Sequence, residues 1–280
     1  MSSDLPGFME RFTLDGKVAV ITGGAGFLGV EHAMAVAEIG GTPVLWDLNG
    51  EEAGRRADKI AHQFGRPCSA QEVDITDSEA VIQGLKEVIV RYGRIDILIN
   101  NAANDPKMGD GTDAAACRLE NFPLLTWEKD LSVGLTGAML CSRVIGTHLA
   151  SNAGGVILNI ASDLGLIAPD QRLYRQEGLP EDQQPVKPVT YSVVKHGIIG
   201  LTKYVATYWA QQGVRCNALA PGGIYDDQSD EFVARLSDMI PIRRMATRDE
   251  YRGAVQFLTS DASRYMNGAV LPMDGGRSCW

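Results

Sequence analysis

A tyrosine and a lysine four positions apart form the most chemically suggestive pattern in the 280-residue chain. Helical spacing places the Tyr191 phenol and the Lys195 ammonium on the same face of one helix. A neighbouring ammonium favours the phenolate, which lowers a tyrosine pKa from its ordinary value of about 10. Such a tyrosine can exchange a proton with a substrate hydroxyl, although the spacing alone often arises by chance. Ser162, which follows an apolar run, could hydrogen-bond the same substrate oxygen.

A glycine-rich turn near the start of the chain could hold a dinucleotide. Gly24, Gly26 and Gly29 match the pattern G-x-G-x-x-G, with a strand-like run before them and a helical pattern after them. A Cβ atom would obstruct the tight turn, the approach of a pyrophosphate and close helix–sheet packing. The unpaired N–H groups and the dipole of the following helix would attract phosphates. The alternative is a purely structural turn.

Two aspartates after later strand-like runs could complete a nucleotide site. Asp47 lies 18 residues beyond Gly29, close to the spacing of a carboxylate that binds a ribose 2′-hydroxyl. The three residues after it are uncharged, so no adjacent cation awaits a 2′-phosphate, and the sequence favours NAD over NADP. Asp74 stands where an adenine would lie. Either aspartate could instead cap a helix or a loop, and Asn49 could cap a helix equally well.

Short apolar runs alternate with longer amphipathic stretches along the whole chain. This alternation predicts a doubly wound Rossmann fold, in which helices cover both faces of a parallel sheet of about seven strands. We expect one domain over residues 1–280, because no repeat or linker interrupts the pattern. The predicted strands are 17–21, 42–46, 69–73, 95–100, 156–160, 214–220 and 269–273, and the predicted helices include 30–39, 51–64, 78–92, 127–150, 191–212 and 248–259.

Two stretches, 102–126 and 163–190, are too long to be simple connections and should emerge at the carboxyl edge of the sheet, over the substrate site. The first carries Lys107 and Arg118, and the second carries Arg172 and Arg175. A guanidinium suits a carboxylate or a phosphate. We hypothesise that Arg172 and Arg175 bind a sugar derivative with an acidic or phosphorylated group. The alternative is that these are solvated loop charges.

The composition excludes several classes of partner. With 26 basic and 35 acidic residues the net charge is −9, which argues against nucleic acid and anionic membranes. No apolar run approaches the roughly 18 residues of a membrane span, and no secretory signal is visible, so we expect a soluble, cytoplasmic protein. Five scattered cysteines and four scattered histidines predict neither a disulfide framework nor a metal site.

Taken in order, these motifs resemble the short-chain dehydrogenase/reductase family over nearly the whole chain. The ordered set is T-G-G-A-G-F-L-G at 22–29, Asp47, Asp74-Ile75, N-N-A-A at 100–103, N-I-A-S at 159–162, Tyr191 with Lys195, Pro221-Gly222 and M-D-G-G at 273–276. Each motif is weak alone, but the ordered set is highly specific.

The resemblance implies an NAD(H)-dependent oxidoreductase that interconverts a secondary alcohol and a ketone. It implies that Tyr191 transfers the proton, that Ser162 positions the substrate oxygen, and that Lys195 tunes Tyr191 and binds the nicotinamide ribose. The implied cofactor contacts are Gly23, Gly26, Phe27, Leu28, Asp47, Asp74, Ile75, Asn101, Ala102, Tyr191, Lys195, Gly222 and Ile224.

The chain departs from the family pattern in three respects. Gly134 stands where the family usually has an asparagine that helps to hold a proton-relay water, so we expect this glycine to leave room, for instance for a water. Tyr191 lies 29 residues after Ser162, and the glycine spacing and the intervening sequence are similar to the extended, nucleotide-sugar branch. N-A-L-A-P-G at 217–222 and the late D-G-G are typical of the compact branch. We therefore place the chain in the compact branch with a sugar-like insertion, similar to dehydrogenases of bacterial surface-sugar biosynthesis.

These observations predict a sugar or sugar derivative as the substrate and leave two alternatives open. One is an epimerase or dehydratase that recycles NAD, and the other is a catalytically silent nucleotide-binding protein. Residues 225–239 could form a lid or a solvated helix start, and we favour the second. The apolar run 269–273 and Trp280 suggest burial against another subunit, so we expect a homodimer or, as is common in the family, a homotetramer.

Overall fold

Seven strands form one parallel sheet in the computed structural model, which describes residues 7, 9–104 and 114–280. The strands are β1 Val18–Thr22, β2 Thr42–Asp47, β3 Ser69–Glu72, β4 Ile97–Asn100, β5 Gly155–Ile160, β6 Val214–Pro221 and β7 Val270–Met273. Their order across the sheet is β3-β2-β1-β4-β5-β6-β7, and every neighbouring pair is parallel. Each predicted strand agrees with the structure to within two residues at either end.

Helices cover both faces of this sheet. They are α1 Phe27–Glu38, α2 Gly50–Phe64, α3 Ser78–Tyr92, α4 Leu124–Leu131, α5 Ala138–Ala150, α6 Val189–Tyr208, α7 Asp230–Asp238 and α8 Arg252–Thr259. The helices α1, α2 and α8 pack on one face, whereas α3, α5 and α6 pack on the other. The predicted doubly wound Rossmann fold is therefore confirmed. Among the described residues, no helix is both long enough and apolar enough to span a membrane.

The pleat of the strands divides the core into two layers. In β1, Ala19 and Ile21 face the layer under α1 and α8, whereas Val18 and Val20 face the layer under α3 and α5. All four side chains are buried. Because both faces of each central strand are covered, the strands read as continuous apolar runs rather than as alternating polar and apolar positions.

The helical pattern predicted over 127–150 contains a π-helical turn at Ser132–Gly137, between α4 and α5. Gly134 lies in this turn, and a Cβ atom added there would stand 2.6 Å from Val194 Cγ1. The expectation that Gly134 leaves room is therefore wrong, because Val194 of α6 occupies the space beside it. The glycine instead allows close approach of two helix segments, one of which carries Tyr191 and Lys195.

The long stretch after β5 folds into short helical turns at Asp163–Gly165, Gln171–Tyr174 and Glu181–Gln183. The buried side chain of Gln184 holds it together, since its Nε2 donates to Gln176 O at 3.0 Å and to Leu179 O at 2.7 Å. Arg118, from the other long stretch, donates to Glu181 O at 2.9 Å. The two insertions therefore brace each other at the carboxyl edge of the sheet.

Candidate active site

One large cleft lies at the carboxyl ends of the strands, where the strand order reverses between β1 and β4. It has a volume of about 610 Å³, and the loops after β1 to β6 contribute to its wall. The structure brings every sequence-predicted catalytic and cofactor residue to this wall. They are Gly23, Gly26, Phe27, Leu28, Asp47, Asp74, Ile75, Asn101, Ala102, Ser162, Tyr191, Lys195, Gly222 and Ile224.

The glycines of the turn after β1 serve two different purposes. Gly23 has a φ of +61°, a left-handed conformation that favours glycine. Gly23 and Gly26 line the cleft. Gly26 is the N-cap of α1, so no side chain caps the N-terminus of this helix. A Cβ atom on Gly24 would stand 2.7 Å from Leu45 Cβ, and one on Gly29 would stand 2.1 Å from Gly23 O. Gly24 and Gly29 are therefore needed for packing. Gly23 and Gly26 line the cleft, and Gly23 also packs on the loop after β4, where a Cβ atom would stand 2.9 Å from Ala102 Cα.

The Asp47 carboxylate lies at the end of β2, beside the glycine turn. Its Oδ2 accepts a hydrogen bond from Ala25 N at 3.0 Å, and its Oδ1 accepts one from Asn49 N at 3.0 Å. The N-cap of α2 is Asn49, whose side chain accepts from Glu52 N. The capping role therefore falls to Asn49, which leaves Asp47 in the wall of the cleft.

Asp74 follows the end of β3 by two residues and also organises its own loop. Its Oδ1 accepts from Thr76 N at 2.8 Å and from Thr76 Oγ1 at 2.7 Å. The loop-capping role is thus present together with the position in the cleft wall. Ile75 beside it is buried against Gly137, where a Cβ atom would stand 2.7 Å from Ile75 Cδ1.

The Asn101 side chain ties the loop after β4 to the glycine turn. Its Nδ2 donates to Thr22 O at 3.0 Å and to Gly23 O at 3.1 Å. Thr22 Oγ1 accepts from the backbone N–H of both Asn101 and Ala102, at 3.0 and 3.1 Å. These bonds hold the two loops at a fixed separation in the wall of the cleft.

Ser162, Tyr191 and Lys195 lie together in the cleft wall because β5 ends and α6 begins at this edge of the sheet. Pro188 is the N-cap of α6, so Tyr191 and Lys195 fall in its first two turns and on one face. Lys195 Nζ donates to Ile160 O at 3.0 Å and lies 5.7 Å from the centre of the Tyr191 ring. Ser162 and Lys195 are 5% and 7% exposed, so their polar interactions act in a weakly screened environment.

Sequence reasoning missed three charged residues at this end of the cleft. Lys187 Nζ lies 3.8 Å from the centre of the Tyr191 ring, which is a cation–π contact. Asp163 accepts from Ser162 Oγ, and Arg277 pairs with Asp163. Position next to Ser162 could have indicated Asp163, whereas no sequence signal connects Arg277 with a serine 115 positions earlier.

The substrate role predicted for Arg172 and Arg175 does not agree with the structure, which places neither among the described residues that line the cleft. Arg172 is exposed and bonds the Asp170 carboxylate, which holds the pKa of Asp170 below its ordinary value. Arg175 is exposed and pairs with Glu181 at 2.6 Å. Arg118 is committed to backbone carbonyls and to Glu120. The prediction for Lys107 lies outside the described residues.

Residues 225–239 combine the two alternatives that the sequence left open. Helix α7 has Ser229 as its N-cap and acidic residues in its first turn, as expected of a solvated helix start. Its Phe232 and Leu236 also line the cleft. Tyr174 packs on Phe232, with ring centres 5.8 Å apart, so α7 and the insertion after β5 together form a roof. The segment is therefore a solvated helix start at Ser229 and a cover over the cleft at Phe232 and Leu236.

Comparison with known proteins gives matches along nearly the whole chain. The model of the family described as short chain dehydrogenase matches residues 17–174, and that described as Enoyl-(Acyl carrier protein) reductase matches residues 181–278. The D-threitol dehydrogenase of Mycolicibacterium smegmatis is 32% identical over 273 residues, which cover 95% of this chain and 94% of that protein.

Two solved structures are also similar. A gluconate 5-dehydrogenase from Burkholderia cenocepacia, in complex with NADP and tartrate, superposes with a TM-score of 0.84 at 28% identity, covering 97% of this chain and 99% of the other. An NAD⁺-bound xylitol dehydrogenase superposes with a TM-score of 0.81 at 26% identity, covering 94% and 99%.

Proposed function

Because this chain belongs to the short-chain dehydrogenase/reductase family, we propose that it is an NAD(H)-dependent oxidoreductase that interconverts a secondary alcohol and a ketone on a sugar or sugar derivative. The observation that carries the proposal is that Ser162, Tyr191 and Lys195 share one cleft with the glycine turn and Asp47. A silent nucleotide-binding protein would have no need of three such groups at one end of its cleft.

The residues of the cleft fit a nicotinamide dinucleotide. Gly23 and Gly26 leave the wall of the turn without side chains, and Asp47 offers carboxylate oxygens beside it. The cofactor, when bound, supplies or accepts a hydride. Tyr191 transfers the proton to or from the substrate oxygen, which Ser162 positions. Lys195, held on Ile160 O, provides the positive charge that stabilises the tyrosinate.

A preference for NAD follows from the charge beside the adenosine ribose. Asp47 would repel a 2′-phosphate, and Leu48 follows it in the cleft wall. The cations among the described lining residues are Lys187, Lys195 and Arg277, all near Tyr191 or Ser162. The relatives include both an NADP complex and an NAD⁺ complex, so this preference depends on Asp47 rather than on the family.

A sugar-like substrate is supported by the relatives, whose names include threitol, gluconate and xylitol dehydrogenases. Asn104, Asp226 and Gln228 in the cleft wall supply hydrogen-bonding groups for a polyhydroxylated molecule. We leave Arg172 and Arg175 out of the proposed substrate site, because their guanidinium groups are paired on the surface.

We further propose a cytoplasmic homodimer or homotetramer without nucleic-acid or membrane partners. The support is the acidic charge and the exposed apolar surface at the end of the chain. Strand β7 forms one edge of the sheet, and Trp280 is 72% exposed.

The test is a calorimetric titration of the purified protein with NADH and with NADPH, followed by turnover assays on matched polyols and ketoses. We expect NADH to bind at least tenfold more tightly than NADPH, because the Asp47 carboxylate repels the extra phosphate. Tyr191→Phe should abolish turnover and leave NADH affinity largely intact, since only the proton-transferring oxygen is removed.

Three outcomes would contradict this proposal. Failure of both cofactors to bind, with no co-purified nucleotide, would favour the silent protein. Turnover of Tyr191→Phe near the wild-type rate would remove the proton-transfer assignment. Consumption of a sugar without net change in NADH would indicate an enzyme that recycles its cofactor.

A further inference from the structure

A buried ion pair adjoins the hydroxyl of Ser162. Asp163 and Arg277 are 3% and 6% exposed, and Arg277 Nη1 donates to Asp163 Oδ2 at 2.7 Å. The other carboxylate oxygen, Oδ1, accepts from Ser162 Oγ at 2.8 Å. One carboxylate therefore connects the proposed catalytic serine to an arginine near the end of the chain.

Arg277 reaches this position from a well-braced turn. It begins the short helical turn Arg277–Cys279 that follows β7. The Asp274 carboxylate fixes that turn by accepting from Gly276 N at 2.9 Å and from Ser278 N at 2.8 Å. Asp274 also packs against Gly222 of the cleft wall, where a Cβ atom would stand 2.7 Å from Asp274 Cα. The guanidinium is thus held by the same loops that form the site.

Fold stability alone does not explain such a pair. Removing two charges from water carries a large desolvation cost, and apolar residues often replace a buried ion pair without loss of stability. Arg277 Nε is also buried, with no hydrogen-bond partner among the described residues, and this adds a further cost. A costly pair directly against a reactive hydroxyl indicates a role in the site.

We propose that Asp163 and Arg277 are positioning residues that fix the Ser162 hydroxyl for the reaction, an inference that rests on the function proposed above. A hydroxyl has one donor and two acceptor positions. In Ser162 the donor is engaged by Asp163, and one acceptor position is taken by Leu164 N at 3.2 Å. The second acceptor position can take a hydrogen bond from the hydroxyl of an alcohol substrate. Without the carboxylate, the hydroxyl could rotate among its staggered rotamers.

The two partners contribute different parts of this effect. The carboxylate makes a charge-assisted hydrogen bond, which is shorter and stronger than a neutral one. Arg277 pairs with the other carboxylate oxygen, Oδ2, and so fixes the orientation of the carboxylate plane. Loss of either partner should therefore loosen Ser162 while the glycine turn and Asp47, which neither partner contacts through a described hydrogen bond or ion pair, remain intact.

A double-mutant cycle on kcat/KM tests the proposal, using the alcohol that the wild type oxidises fastest in the assays above. We expect Arg277→Gln to lower kcat/KM about tenfold or more, since small misplacements of a reacting group are costly. In a Ser162→Ala background the same change should have no further effect, because the hydroxyl that it positions is absent. The Kd for NADH should stay within a factor of about two, and Arg277→Lys should retain more activity than Arg277→Gln.

Arg252→Gln is the matched control. Arg252 pairs with the buried Glu31 between α8 and α1, and neither residue lines the described wall of the cleft. This variant should lower the melting temperature without changing kcat/KM. Should Arg277→Gln fold poorly because Asp163 is left unpaired, the double variant Asp163→Asn with Arg277→Gln removes that buried charge and should show the same coupling to Ser162.

Two results would overturn the positioning role: equal losses from Arg277→Gln with and without Ser162, or no loss in the wild-type background. Either result, with Ser162→Ala itself strongly impaired, leaves the proposed function standing. If Ser162→Ala retains wild-type turnover, or if the wild type turns over no alcohol or ketone, the proposed function is wrong. The positioning role of Asp163 and Arg277 is then wrong as well.

Discussion

At the scale of single residues, two aspartates that have similar positions in the sequence make different contacts in the cleft wall. Asp47 ends β2 and Asp74 follows β3, and the Oδ1 atom of each accepts from the backbone N–H two residues further on. The Oδ2 atom of Asp47 also accepts from Ala25 N in the glycine turn. The alternatives raised for both positions were capping roles. Near Asp47, the capping role is taken by Asn49, which caps α2. Asp74 caps its own loop and also lies in the cleft wall.

In the proposed function Asp47 determines the cofactor preference, so its substitution should change that preference. We expect Asp47→Ser to weaken NADH binding about tenfold and to strengthen NADPH binding, because the ribose loses a hydrogen-bond acceptor and the 2′-phosphate loses a repelling charge. Calorimetric titrations of both nucleotides provide the measurement. Asp47→Asn is the control, since it can keep the bond to Ala25 N without the charge. An unchanged preference in both variants would exclude Asp47 from the ribose site.

At the scale of secondary-structure elements, the contact between the π-helical turn at Ser132–Gly137 and α6 determines where the proposed catalytic face of α6, which carries Tyr191 and Lys195, lies. Val194 stands between Tyr191 and Lys195 in the sequence and fills the space beside Gly134. The distance between the two helix segments is therefore set by a glycine, and the orientation of α6 depends on that distance.

A methyl group at Gly134 should disturb this contact. Gly134→Ala should destabilise the fold by roughly 1–3 kcal/mol through overpacking, which outweighs the gain of about 1 kcal/mol in helix propensity. It should also lower kcat, because Val194 moves with the catalytic face, while NADH affinity changes little. Thermal unfolding and steady-state kinetics would measure both effects.

Two further variants make this prediction specific. Val194→Ala should restore part of the stability in the Gly134→Ala background, since it removes the methyl group that the new Cβ atom meets. Gly200→Ala is the matched control on α6, because no atom lies within 4 Å of a Cβ atom placed there. That control should be neutral or slightly stabilising. Equal destabilisation by both alanines would show that packing at Gly134 is not the cause.

At the scale of the whole molecule, stability should depend on the protonation of a buried histidine in α1. Burial lowers the pKa of His32 to about 4 from 6.5, against a smaller opposing effect of the Asn101 side chain. Neither ring nitrogen makes a hydrogen bond of good geometry to a described residue. Because the unfolded chain binds this proton more tightly than the folded one, the free energy of unfolding falls as the pH drops.

As the pH falls, the free energy of unfolding should begin to decrease near pH 6.5, and the decrease should level off near pH 4. It should amount to roughly 3 kcal/mol from this group. Urea unfolding of the wild type and of His32→Met at several pH values would measure it. The methionine variant fills a similar volume without a titrating group, so the free energy of unfolding of the wild type minus that of the variant should rise by roughly 3 kcal/mol between pH 4 and pH 6.5. A constant difference would contradict the assignment to His32.

Local sequence patterns were enough to predict the strands, most of the helices and the residues that line the cleft proposed to bind the nucleotide. Continuous apolar runs specify buried parallel strands, and strands that end at one edge deliver Gly23, Asp47, Asp74 and Asn101 to one place whatever the details of packing. The spacing of Tyr191 and Lys195 is likewise a property of one helix.

Tertiary packing, by contrast, determines which charged side chains face the cleft and why position 134 is a glycine. Arg172 and Arg175 lie in an insertion whose turns direct them to Asp170 and Glu181, and nothing in their spacing reveals those partners. Arg277 reaches Asp163 across 114 positions, and Val194 meets Gly134 across two helices. Long-range contacts of this kind depend on how finished elements pack, so local sequence patterns carry no record of them.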